Sequence, residues 1–94
     1  MKVLVINCGS SSLKYRLFGM ENESTLAKGL VERIGAAGTL LKHQVPGKDP
    51  YQVECKGSDH TAAMSAVLEV LIDPERGVLK GVEEISAVGH RIVH

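Results

Sequence analysis

No excess charge of either sign is present in this 94-residue sequence: eleven Lys and Arg balance eleven Asp and Glu, and the pI is near 6.9. A chain without a long-range field has no electrostatic pull on nucleic acid or on an anionic membrane, so neither is expected as a partner. Long apolar runs are missing as well. The stretch Val3-Leu4-Val5-Ile6 is too short for the hydrophobic region of a signal peptide, and nothing else could span a bilayer, which makes the cytoplasm the expected compartment. Cysteine is scarce: Cys8 and Cys55 have neither metal-ligand nor redox-pair spacing, and free thiols are expected in a reducing compartment. The four histidines offer no obvious metal site. His43 and His60 have no partner at ligand spacing, and His60 is expected to serve a helix N-terminus or to pack. His90 and His94 flank the strand-like Arg-Ile-Val, which sets their rings ~13 Å apart at about 3.3 Å per residue. Internal repeats and low-complexity segments are also absent. What remains is a chain that is 44% hydrophobic, able to bury a core but sized for one domain or part of one.

The feature that stands out is Asn7-Cys8-Gly9-Ser10-Ser11-Ser12-Leu13-Lys14, lying between the apolar 3–6 stretch and an alternating one over 13–18. It reads as a strand, a tight turn and a second strand, with a turn made of groups that bind oxyanions. Gly9 permits close backbone approach, three hydroxyls can donate hydrogen bonds, and Lys14 supplies a point charge. Two familiar phosphate motifs do not fit. A Walker-type loop needs Gly directly before the Lys and Ser or Thr after it, whereas Leu13 and Tyr15 flank Lys14. A dinucleotide fingerprint needs three spaced glycines and a helix at the turn, whereas the run has only Gly9 and continues in strand fashion. A phosphate would therefore sit on a hairpin turn. The same residues would also suit a merely polar turn, Lys14 an ordinary solvated strand edge, and Asn7 a local turn former. Cys8, beside the turn, is either a buried thiol or one made reactive by nearby N–H groups.

Along the chain, residues 3–6 read as a central strand apolar on both faces, and residues 13–18 as a strand antiparallel to it. A turn at 20–24 precedes a third strand over 25–33, whose Gly29 signals a bulge or a close backbone approach. After the Gly-Ala-Ala-Gly break at 35–38, residues 39–45 and 51–55 form strands around a Pro-Gly-Lys-Asp-Pro turn. Ser58 or Asp59 can cap a helix running to about Ile72, with Met64, Val67, Leu68 and Leu71 as its buried stripe. Pro74 stops it. Residues 75–84 connect, with room for one helical turn, to a strand over 85–93 that a helical crossover makes parallel to the first. Arg91 lies inside that apolar strand, as either a paired structural charge or a two-pronged clamp for carboxylate or phosphate.

The run from Asn7 to Lys14, together with Gly89-His90-Arg91-Ile92-Val93-His94 and Asp59-His60-Thr61-Ala62-Ala63, resembles the N-terminal part of the acetate and butyrate kinase family, and the resemblance spans the whole chain. It implies an α/β fold, the N-terminal part of an actin/hexokinase-like (ribonuclease H-like) domain, ordered strand-strand-strand-hairpin insertion-helix-strand. Residues 1–94 would be a partial N-terminal lobe of a two-lobed kinase, with 39–55 the hairpin insertion and the remainder absent. The activity implied is reversible transfer of the γ-phosphoryl of ATP to acetate, giving acetyl phosphate, with Mg²⁺ as cofactor and a homodimer at full length. Ser10, Ser12 and Lys14 would hold the nucleotide phosphates, Asn7 would steady the metal, and Arg91 would grip the acyl substrate. The family's catalytic acid, adenosine pocket and second metal ligand would lie beyond these residues, so the chain alone is expected to be inactive. Butyrate or another short-chain acyl acceptor is one alternative. A non-enzymatic nucleotide-binding module of the actin and chaperone superfamily is another.

Overall fold

The computed structural model describes residues 1–19, 21, 24–34, 38–55 and 59–92. The elements follow in the order β1 (Lys2–Cys8), β2 (Ser12–Gly19), β3 (Ser24–Glu32), β4 (Leu40–Gln44), β5 (Tyr51–Glu54), α1 (His60–Leu71), a 3₁₀ turn (Val82–Glu84) and β6 (Ile85–Ile92). The strands form one sheet in the order β5-β4-β3-β2-β1-β6. Neighbours from β5 to β1 are antiparallel, and β6 returns parallel to β1, as a helical crossover requires. Residues 39–55 thus hold a hairpin whose two strands extend the main sheet, β4 pairing with β3. Most of the 20–24 turn, residues 35–37 of the glycine break, the alternative cap Ser58, and Val93 and His94 lie outside the described residues.

Alternation sorts the side chains of the sheet into two faces. Leu4, Ile6, Leu13, Tyr15, Leu17, Ala27, Val31, Leu41 and His43 are buried on the α1 face. Asp59 caps α1 by accepting from the Ala62 N–H at 2.8 Å. Its buried residues are Ala63, Val67, Val70 and Leu71. The expected stripe was therefore centred slightly off: Met64 and Leu68 flank the core while Ala63 faces it, because a small side chain lets the helix sit close to the sheet. Beyond the helix, the Leu71 carbonyl accepts from both Val78 and Leu79 at 3.0 Å, tying the chain leaving Pro74 back to the helix end. On the opposite face Val3 and Val5 are only half-buried. A groove of about 560 Å³ there runs past Val5, Lys14, Arg16, Phe18, Lys28 and Leu30.

Gly29 marks a close approach and not a bulge; the register irregularity falls at Leu17/Phe18. Tyr15 pairs with Gly29 and Gly29 with His43, so the Tyr15 side chain crosses the bare glycine to reach β4. Its hydroxyl lies 2.5 Å from His43 Nδ1, with the two rings stacked at 5.9 Å and 16°. On the other side, His43 Nε2 lies 2.9 Å from the Arg76 carbonyl. A carbonyl can only accept, so Nε2 carries the proton and Nδ1 accepts from the Tyr15 hydroxyl. Burial pushes the phenol pKa up, the thiol of Cys55 adding to this. Burial also pushes the imidazole pKa down, against opposing pulls from the Arg76 carbonyl and Asp73 and a weaker push in the same direction from Lys48.

This arrangement fixes the sign of a pH effect. Unfolded, His43 takes a proton near 6.5, whereas the folded imidazole resists it. Below that pH the unfolded state binds more protons, so stability falls as pH falls, by up to about 1.4 kcal/mol per pH unit, until the native ring also titrates. Urea unfolding between about pH 5 and 8 should show this slope, and His43→Phe should flatten it. An unchanged slope in that variant would assign the effect to another group.

Candidate functional site

The turn between β1 and β2 is held by its carbonyls. Gly9 N–H donates to the Ser12 carbonyl at 2.9 Å, and Ile34 N–H donates to the Ser11 carbonyl at 2.9 Å. His60 Nε2, at the start of α1, lies 2.9 Å from the Gly9 carbonyl. Among the described residues nothing accepts from the Ser10 or Ser11 amide. With the Gly9, Ser11 and Ser12 carbonyls engaged and the Ser10 and Ser11 amides not, the turn tip is polarised toward an anion. A Cβ at Gly9 would lie 2.9 Å from Ser12 Oγ and push that hydroxyl aside. Ser10 and Ser11 are exposed at the tip, and Ser12 is half-buried.

One residue pair below the turn's closing pair, the sheet register aligns three residues singled out in the sequence. Asn7 pairs with Lys14 on β2 and with Arg91 on β6, so the backbone sets Lys14, Asn7 and Arg91 in one row across β2, β1 and β6. The row lies at the carboxyl end of the parallel β1/β6 pair, where open α/β sheets bind ligands. Lys14 is exposed, and Asn7 is half-buried with its Oδ1 shielded and without a hydrogen-bond partner among the described residues. An orphaned amide oxygen suits a cation or a water bound to one, but it is a single neutral ligand. Among the described residues no cluster of three or more His, Cys, Asp or Glu could hold a metal. Any Mg²⁺ here would take its other oxygens from phosphate and water. Cys8 projects to the other face and packs against the core, away from Asn7 and Lys14.

The sequence identified the turn and singled out Lys14, Asn7 and Arg91, but not their alignment in one row nor the bond from His60. The expectation for His60 was that it serves the helix N-terminus or packs, and the only available signal was the Asp-His pair itself. The Tyr15–His43 pair was missed too, although Gly29 pointed to a close approach.

A donor-rich turn at the carboxyl end of a parallel strand pair, within an α/β sheet, is the layout of phosphate-handling proteins. The chain belongs to the Acetokinase family, whose profile matches residues 2–94. Over all 94 residues it is 60% identical to an acetate kinase of Clostridium beijerinckii and 58% identical to one of Treponema denticola, covering 24% of each. The chain thus spans about a quarter of the length of these curated relatives. It also superimposes on the crystal structure of Porphyromonas gingivalis acetate kinase with a TM-score of 0.92 at 47% identity, covering 99% of this chain and 23% of that one. A propionate kinase from Francisella tularensis gives a TM-score of 0.79 at 26% identity, over 99% of this chain and 22% of that one. The fold is accordingly the actin/hexokinase-like one. Among the described residues no helix is long and apolar enough to cross a membrane.

Proposed function

We propose that this chain is the N-terminal part of an acetate kinase, a homodimeric cytoplasmic enzyme at full length that phosphorylates acetate reversibly from ATP. The observation that carries this reading is the polarised turn set beside the Lys14–Asn7–Arg91 row. Phosphoryl transfer asks the protein mainly to position the reactants and to neutralise charge on the phosphoryl oxygens. In this reading the Ser10 and Ser12 hydroxyls and the free turn amides hold nucleotide phosphate oxygens, and Lys14 supplies charge beside them. Asn7 Oδ1 would hold Mg²⁺ or a water on it, and the ion would supply charge that neutralises the phosphates. Arg91 grips the acyl substrate or the phosphoryl group in transfer.

The test is Lys14→Ala in the full-length protein. Loss of a charge-assisted contact should raise the KM for MgATP about 10- to 100-fold. Lys14→Arg should restore part of it, since the role is mainly one of charge. A normal KM for MgATP in Lys14→Ala would remove Lys14 from the site. The likeness to a propionate kinase supports a second reading, in which a longer short-chain acid is the acceptor. Comparing kcat/KM for acetate, propionate and butyrate decides between the two.

A further inference from the structure

We propose that His60 is a positioning residue of the phosphate turn, aiming the Ser10 amide at the ligand; this rests on the reading of that turn as the nucleotide-phosphate site. His60 and Gly9 are 51 residues apart in sequence, yet the imidazole Nε2 lies 2.9 Å from the Gly9 carbonyl. The Gly9 carbonyl and the Ser10 N–H belong to one planar peptide unit, and no described peptide bond is cis. In a trans unit the two groups point in opposite directions. Holding the carbonyl toward α1 therefore turns the Ser10 N–H away from α1, to the side where the turn is exposed. The bond from Ile34 N–H holds the Ser11 carbonyl, two peptide units along, and the bond from Gly9 N–H to the Ser12 carbonyl closes the turn, but neither engages the carbonyl or the amide of the Gly9–Ser10 unit itself. His60 fixes that unit.

The post that holds it is rigid. Asp59 caps the helix with its own side chain, so the His60 ring is not needed for capping. Ala63, Val67, Val70 and Leu71 anchor α1 in the core. Gly9, lacking a side chain, depends on outside contacts to choose its orientation. The histidine thus lowers the ordering cost of binding without touching the ligand.

The experiment uses the full-length protein with His60→Ala, His60→Gln and His60→Asn, and Lys14→Ala as reference. It measures KM for MgATP and for acetate, kcat, and thermal melts. A glutamine amide nitrogen can occupy the place of the imidazole Nε2, whereas that of asparagine falls short of it. His60→Ala and His60→Asn should raise the KM for MgATP about fivefold to tenfold, the effect of one lost hydrogen bond. The KM for acetate should stay within about twofold, and His60→Gln should recover most of the loss. Equal KM values for the Gln and Asn variants would overturn the proposal, even if His60→Ala failed to fold. So would a normal KM in His60→Ala while Lys14→Ala is impaired, an outcome that leaves the phosphate site standing. Normal values in both Lys14→Ala and His60→Ala would overturn the phosphate-turn reading and the proposal with it.

Discussion

Arg91→Ala in the full-length protein should damage use of the acyl substrate, by on the order of 2–5 kcal/mol if Arg91 forms a charge-assisted clamp whose partner group is left desolvated. The backbone places Arg91 at the register position beside Asn7, in the row that Lys14 completes. A substrate carboxylate or phosphoryl group offers two oxygens that match the planar fork of an arginine. Arg91→Lys should therefore rescue poorly, because an ammonium cannot reproduce two parallel bonds. If the contact tightens as charge builds in the transition state, kcat should fall along with acetate affinity, while the KM for MgATP changes little. Kinetics varying acetate and ATP separately, with melts as a control, check this. Near-normal kinetics would take Arg91 out of the site, and a variant that does not fold would show a structural charge instead.

Gly29→Ala should be strongly destabilising. A Cβ at this position would collide with the Tyr15 hydroxyl and with the Lys42 carbonyl on β4. Neither can retreat easily: one belongs to a ring that is 3% exposed and stacked on His43, and the other is backbone in a paired strand. Overpacking of this kind costs about 1–3 kcal/mol. Displacing Tyr15 also leaves His43 Nδ1 buried without a donor, for a further cost of about 1–3 kcal/mol. For these 94 residues unfolding as one unit, each kcal/mol lowers Tm by about 4–8 °C, so a fall of about ten degrees or more is expected. Tyr15→Phe isolates the hydrogen bond, because the ring stays and only the hydroxyl is lost. It should cost roughly the second contribution alone. A Gly29→Ala protein melting within about two degrees of the parent would show that β3 and β4 can part at no cost, contrary to the packing described.

Both predictions join something legible in the chain to something that was not. The hairpin around residues 7–14, the capped helix and the parallel return of β6 could be read directly, because each is written in contiguous residues: hydroxyls and glycine at a turn, a 3.6-residue period after Asp59, an apolar run after a crossover. Arg91 could be singled out as an anomaly in its strand. Its place beside Asn7 could not, since register between distant strands depends on how the whole sheet assembles. Gly29 announced a close approach without naming what approached. Helical periodicity gave the apolar face of α1 but not its exact bearing, and the sheet chose Ala63 over Met64 for the seat against the core. The bonds that fix the turn and the core come from farther away: His60 to Gly9 across 51 residues, and Tyr15 to His43 across 28. By itself the sequence determined the chemistry of the turn and the kinds of element around it, because short-range sterics and periodicity set both. Only the tertiary structure decided which groups would aim and brace that turn, because a hydrogen bond between distant residues exists only once packing has brought them within 3 Å.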